Sequence, residues 1–191
     1  MLKPAWAYCA VGFALLALST SAANKETQNI AKRSASSRDS AAGFTFPRHV
    51  GNFVRRGSIT LDEGGNPIAT YWAGALVLVD VYYYLTYAHS LDREYADCRD
   101  YVKIYTRDAR LISDSDVTIS PAGRRHRGHR AVFRFRPDPR ADFNGAMKSQ
   151  LLIFQLRDRF VKFRITYSFE HADRVEEELQ DFLNELAWPE R

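Results

Sequence analysis

From Phe44 onward, apolar residues recur at every second position through most of the chain, and at every third or fourth position in two stretches. Period-2 runs predict strands and period-3.6 runs predict amphipathic helices. Phe53 to Leu61 reads as a first strand, and Asp62-Glu63-Gly64-Gly65-Asn66-Pro67 as the turn that delivers a second at Ile68 to Trp72. Leu76 to Leu85 (LVLVDVYYYL, broken only by Asp80) and Gln150 to Leu156 (QLLIFQL) are apolar at both parities. A strand apolar on both sides needs cover on both sides, so these two belong inside the sheet. His129 to Arg136 alternates, with Ala131, Phe133 and Phe135 on one face and Arg130, Arg134 and Arg136 on the other. Phe160 to Phe169 alternates too, with Val161, Phe163, Ile165 and Tyr167 pointing inward opposite Lys162, Arg164 and Thr166. Asp114 to Ser120 reads as a short strand, Pro121 to Gly128 as the loop after it, and Arg157-Asp158-Arg159 as a tight link.

The two helical stretches carry end signals. Ser90 can cap a helix whose stripe is Leu91, Tyr95, Cys98, Val102, Tyr105 and Ala109, with Asp92 and Glu94 in the first turn and Arg107 and Arg110 in the last turns. A second helix starts near Asp173; Val175, Leu179, Phe182, Leu183 and Leu186 form its stripe and Pro189 stops it. Strands in series with few helices predict an α+β fold: a mainly antiparallel sheet of about six to seven strands with two amphipathic helices packed on it. One helix per face, a three-layer sandwich, is the simplest way to cover both sides. Both helices on one face with loops over the other is the alternative.

The first 23 residues change the picture of where this sheet works. Lys3 gives a positive start, Ala5 to Leu18 is mostly apolar, and Ser21-Ala22-Ala23 offers small residues for cleavage. The apolar run is shorter than the roughly 20 residues a transmembrane helix needs. Residues 1–23 are therefore expected to be an export signal, and the mature protein to be periplasmic or extracellular with no transmembrane segment. Cys9 would leave with the signal, so Cys98 would stand alone and no internal disulfide would form. The bulky Tyr8 just before Cys9 argues against a lipoprotein cleavage box. Asn24 to Gly43 holds one large aliphatic residue, Ile30, among Ser, Ala, Asn and charges, and is expected to be a disordered linker. Residues 44–191 then form a single domain, large enough to rest on packing alone.

Four segments, FPRHVGNF at Phe46 to Phe53, VDVYYYL at Val79 to Leu85, FVKFRITY at Phe160 to Tyr167 and the terminal LAWP at Leu186 to Pro189, resemble a group of small exported bacterial proteins of uncharacterised function. The order of elements also resembles the antiparallel α/β/α sandwich of the photosystem PsbP proteins. These resemblances imply a fold and an exported location, and supply no activity or site residue.

Candidate chemistry is thin. Arg124, Arg125, Arg127, Arg130, Arg134, Arg136 and Arg140 face a single acid, Asp138, between Pro121 and Arg140. Arginine's planar fork suits phosphate and carboxylate, so this region is a candidate anion site. Were the strand at His129 beside the one at Phe160, Lys162 and Arg164 would extend it. The plain alternative is a solvated loop and strand face. For an exported protein the anionic partner would be an envelope component or an acidic protein surface, with no nucleic acid expected. His126 and His129 stand three apart but among arginines, which oppose a cation; no metal site and no cofactor is expected. Tyr82 and Tyr84, with Asp80 as the one acid in an apolar strand, could line a ligand pocket between sheet and helix, or simply pack. Cys98 on the helix stripe is expected to be a buried, inert thiol. Ser113, Ser115, Asp114, Asp116 and the histidines lack a nucleophile elbow or an oxyanion-hole motif, so a hydrolase is the weakest reading and no catalytic residue is assigned. The function expected is that of a non-enzymatic binding module.

Overall fold

A computed structural model describes residues 40–41, 44–74, 77–87, 89–106, 108–137 and 145–189. The expected signal at 1–23, most of the expected linker at 24–43 and Arg140 lie outside the described residues. Two short strands, β1 (Ser40–Ala41) and β2 (Phe44–Thr45), pair with each other. Then follow β3 (His49–Val50), β4 (Phe53–Arg55), β5 (Thr60–Leu61), β6 (Pro67–Ala73), β7 (Val77–Leu85), α1 (Leu91–Tyr105), β8 (Arg110–Ile119), β9 (His126–Phe135), β10 (Met147–Leu156), β11 (Arg159–Ser168) and α2 (Ala172–Glu185).

Among the described residues, β3 to β11 make one nine-stranded antiparallel sheet in the order β3-β4-β6-β7-β11-β10-β9-β8, with β5 paired to β6. The fold class is α+β, with one helix on each face. The expected first strand at Phe53 to Leu61 is broken by Gly57, which takes a positive φ of 70° that an L-residue adopts only under strain, so β4 and β5 are separate short pieces. With β3, that break accounts for the strands beyond the six or seven expected. At the next turn Asp62 accepts from the backbone N–H of Gly64 and Asn66, closing the connection into β6.

β8 to β11 run as a meander, and the chain reaches β8, at the far edge, by crossing from β7 over one face as α1. Ser90 caps α1 by accepting from the Arg93 N–H. The helix stops at Tyr105, one turn earlier than its apolar spacing suggested, and Arg110 opens β8 instead of closing the helix. α1 buries Tyr95, Cys98 and Val102 against Tyr82, Tyr84, Ala131, Phe133, Leu151, Ile153 and Phe160.

The opposite face carries the larger core. Val175, Leu179, Phe182 and Leu183 of α2 pack with Phe53, Tyr71, Val81, Phe163 and Ile165, and Phe182 sits 4.7 Å from the Phe53 ring and 5.2 Å from that of Tyr71. Each such side chain, fully buried, contributes about 1.5–3 kcal/mol. Beyond α2 the chain turns at Leu186, and Trp188 lies against Phe154, Phe163 and His126 while its indole N–H donates to the Leu183 carbonyl. Both faces are covered over β7, β10 and β11, as the double-sided apolar pattern of β7 and β10 requires.

Candidate functional site

Strand register decides which charges meet. Arg110 of β8 stands directly opposite Arg134 of β9, and Arg134 directly opposite Lys148 of β10. Facing residues in neighbouring strands have Cβ atoms about 4.5–5.5 Å apart, and like charges placed so are destabilising. The row lies on the α2 face, at the end of the sheet where β8 and β10 begin. Arg110 and Arg134 are exposed, and among the described residues no carboxylate lies within ion-pair distance of either. Phe169, which follows β11, supports Arg134 and Lys148: the Arg134 guanidinium is 4.8 Å and the Lys148 ammonium 5.4 Å from its ring centroid, and the residue is 38% exposed.

One acid approaches the row from α2. Glu176 accepts from Arg130 at 2.6 Å, from Gln150 at 2.6 Å and from the Tyr167 hydroxyl at 2.6 Å, with Lys148 at 3.9 Å. Arg130 also donates to Gln150 at 3.0 Å, and Gln150 to the Tyr167 hydroxyl. Burial, then the Glu176 hydrogen bond, raises the Tyr167 phenol above its ordinary value. Arg130 is thereby tied into the α2 interface, leaving Arg110 and Arg134 as the exposed members of the group.

The expected arginine patch divides into three parts. Arg124, Arg125 and Arg127 are exposed at the β8–β9 hairpin tip, at the opposite end of β9 from Arg134. There Pro121 is buried and His126 stacks on Trp188 with centroids 5.0 Å apart, which seats the tip against the end of α2. Arg134 and the exposed Arg136 belong to the row's end of the sheet. Lys162 and Arg164 do not extend either group, because β10 separates β9 from β11 and both side chains point to the α1 face. Lys162 is 5% exposed, with its ammonium 4.4 Å from the Tyr82 ring, 5.3 Å from that of Tyr84 and 4.0 Å from the Cys98 sulfur. Arg164 donates to the Thr106 hydroxyl at 3.3 Å.

The tyrosines expected to line a pocket are packed. Tyr82 and Tyr84 are each 4% exposed, and the Tyr84 hydroxyl donates to Glu94 at 2.8 Å. Asp80 is half-buried, accepts from Thr70 at 2.6 Å and stands opposite Arg164 of β11; burial raises its carboxyl above the ordinary value, against the Thr70 hydrogen bond and the Arg164 and Lys162 charges. A shallow groove of about 360 Å³ lies elsewhere, between β4 and β6, with Val54, Arg55, Arg56 and Trp72 as its walls.

The α1 face of the same edge is acidic where the α2 face is basic. His129 is held between Asp92 of α1 at 2.8 Å and Asp116 of β8 at 2.9 Å, and stacks on Tyr95 at 4.7 Å. Tyr95 donates to Asp114 at 2.5 Å, and Arg99 pairs with Asp114 at 2.8 Å. Burial, then the Asp114 hydrogen bond, raises the Tyr95 phenol; burial pushes the Asp114 carboxyl up as well, but the hydrogen bonds from Tyr95 and Arg99 outweigh it and hold that carboxyl below the ordinary value. Among the described residues, no group of three His, Cys, Asp or Glu side chains is arranged to hold a metal ion.

Arg110 and Lys148 were missed by reading the sequence. Their signal was available only through register, since Lys148 is 14 residues from Arg134 and Arg110 is 24 residues from it on the other side.

No protein-family model matches the chain, and no curated protein matches it. Several solved structures match this chain, among them two of bacterial proteins. A protein of unknown function from Pseudomonas aeruginosa, PA94, is 9% identical with a TM-score of 0.52, covering 74% of this chain and 99% of that one. Cyanobacterial PsbP from Synechocystis is 12% identical with a TM-score of 0.46, covering 76% of this chain and 88% of that one. At 9% identity the likeness to PA94 is one of fold alone. No helix among the described residues is long and apolar enough to cross a membrane.

Proposed function

We propose that this chain is an exported, non-enzymatic binding module that docks on an anionic partner of the cell envelope through the row Arg110, Arg134 and Lys148, flanked by Arg136 and Arg130. The observation that carries the reading is the register that sets the three cations opposite one another, with Glu176 the one carboxylate paired to the row among the described residues. Like charges held face to face cost stability unless an anion neutralises them, and a folded row presents that cost as standing affinity for one. The exposed Arg124, Arg125 and Arg127 at the hairpin tip form a second, independent basic group. Export rests on the pattern of Met1 to Ala23.

The test is retention of the full chain on an anionic matrix under a salt gradient. Three triple variants are compared: Arg110→Ala with Arg134→Ala and Lys148→Ala; Arg124→Ala with Arg125→Ala and Arg127→Ala; and a control of equal charge, Arg93→Ala with Lys103→Ala and Arg174→Ala, on outer helix faces. The row variant is expected to elute at the lowest salt and the control close to the parent. Equal shifts in all three would mean that retention follows net charge, and the reading would fail.

A further inference from the structure

The row is not a purely polar surface. Phe169, 38% exposed, lies beneath Arg134 and Lys148, and immediately after Arg110 the pairing of β8 with β9 slips between Leu111 and Ser113. That bulge leaves Ile112 without a partner in β9, with Leu111 39% and Ile112 50% exposed. β8 starts, β9 ends, β10 starts and β11 ends at this one end of the sheet, so Arg110, Arg134, Arg136, Lys148, Phe169, Leu111 and Ile112 share it.

Resting on the anion-docking reading, we infer that the partner is an anionic lipid bilayer, met end-on by this end of the sheet. The cations take the headgroup phosphates while Phe169, Leu111 and Ile112 enter the interfacial layer. Peripheral membrane binding grows with buried apolar area plus attraction to anionic lipid, and this end supplies both within a few residues. A soluble polyanion would neutralise the row but leave the three exposed apolar side chains in water, and an acidic protein surface would need an apolar patch of its own beside its charges to cover them. The bulge serves the same end: it takes Ile112 out of the ladder at the start of the edge strand.

The experiment uses the full chain with vesicles of phosphatidylcholine, alone or mixed with phosphatidylglycerol. Neutral vesicles register any contribution from the apolar run at 5–18. Hydrogen-exchange mass spectrometry should show new protection at 110–113, 134–136 and 147–148 on the mixed vesicles only. Removing the three cations of the row should weaken vesicle binding on the order of 100-fold, at about one lipid-surface interaction per cation. Ile112→Ser with Leu111→Ser, both at exposed positions, should weaken vesicle binding roughly five- to tenfold and leave retention on the anionic matrix unchanged. If matrix retention depends on the row but the mixed vesicles bring no protection there, or if the Ser pair binds vesicles like the parent, the bilayer is excluded and the anion-docking reading stands. If the row matters to neither, both readings fall.

Discussion

Arg110 and Arg134 face one another across β8 and β9 with no carboxylate within ion-pair distance of either among the described residues. Replacing one charge by its opposite turns a repulsive pair into an attractive one. Arg110→Glu is therefore expected to raise stability by roughly 0.2–1 kcal/mol while weakening retention on an anionic matrix. Urea unfolding at low and high salt checks it, because screening should shrink the difference. A lowered midpoint for the variant would mean that the pair is not under electrostatic strain.

Glu176 is the acceptor on which the polar layer beneath α2 converges. Glu176→Ala leaves Gln150 and Tyr167, both buried, and the half-buried Arg130 without their shared partner. The expected cost is roughly 1–3 kcal/mol, with Glu176→Gln losing less because it keeps an acceptor oxygen in place. Chemical denaturation of the two variants decides it, and a loss below the measurement error in both would show that the layer contributes no net stability.

Gly128 fits β9 against β10 with no room for a side chain. A Cβ built there would fall 2.3 Å from the Ile153 carbonyl oxygen and 2.5 Å from a Phe154 ring carbon. The carbonyl belongs to a central strand and cannot yield without breaking the ladder. Gly128→Ala is expected to destabilise by about 2–3 kcal/mol, at the upper end for overpacking. Since Gly128 lies between the hairpin tip and the α1 contact of His129, amide exchange in β9 and β10 should rise in the variant even where the fold survives.

These variants mark where the sequence was legible. The double-sided apolar runs located β7 and β10, and the helix stripes located α1 and α2, because burial writes its own period into the residues it selects. The alternation of β11 did not reveal that Lys162 and Arg164 are covered. A long cation over tyrosine rings carries the same letter as one in water, and only the crossing of α1 distinguishes them. The basic site was half legible for a related reason. Arg134 and Arg136 stood out in the sequence, whereas Arg110 and Lys148 join them through pairing between distant segments, and Arg110 read as the end of a helix that in fact closes at Tyr105.

Asp80 offers a test of burial by titration. Its carboxyl is held above the ordinary value near 3.8, first by burial, with the Thr70 hydrogen bond and the Arg164 and Lys162 charges working against the rise. An acid whose folded value exceeds its unfolded one binds more protons when folded. Stability from this group is present below the unfolded value and is lost as pH rises through the folded one. Asp80→Asn removes the titration and keeps an acceptor for Thr70. The stability difference, variant minus parent, should therefore move in the variant's favour as pH climbs from about 4 towards neutrality. Urea midpoints of both proteins across that range measure it. A difference that moves towards the parent would show that Thr70, Arg164 and Lys162 outweigh burial and that the carboxylate is the form the fold prefers, and a flat one that they cancel it; either overturns the expected rise.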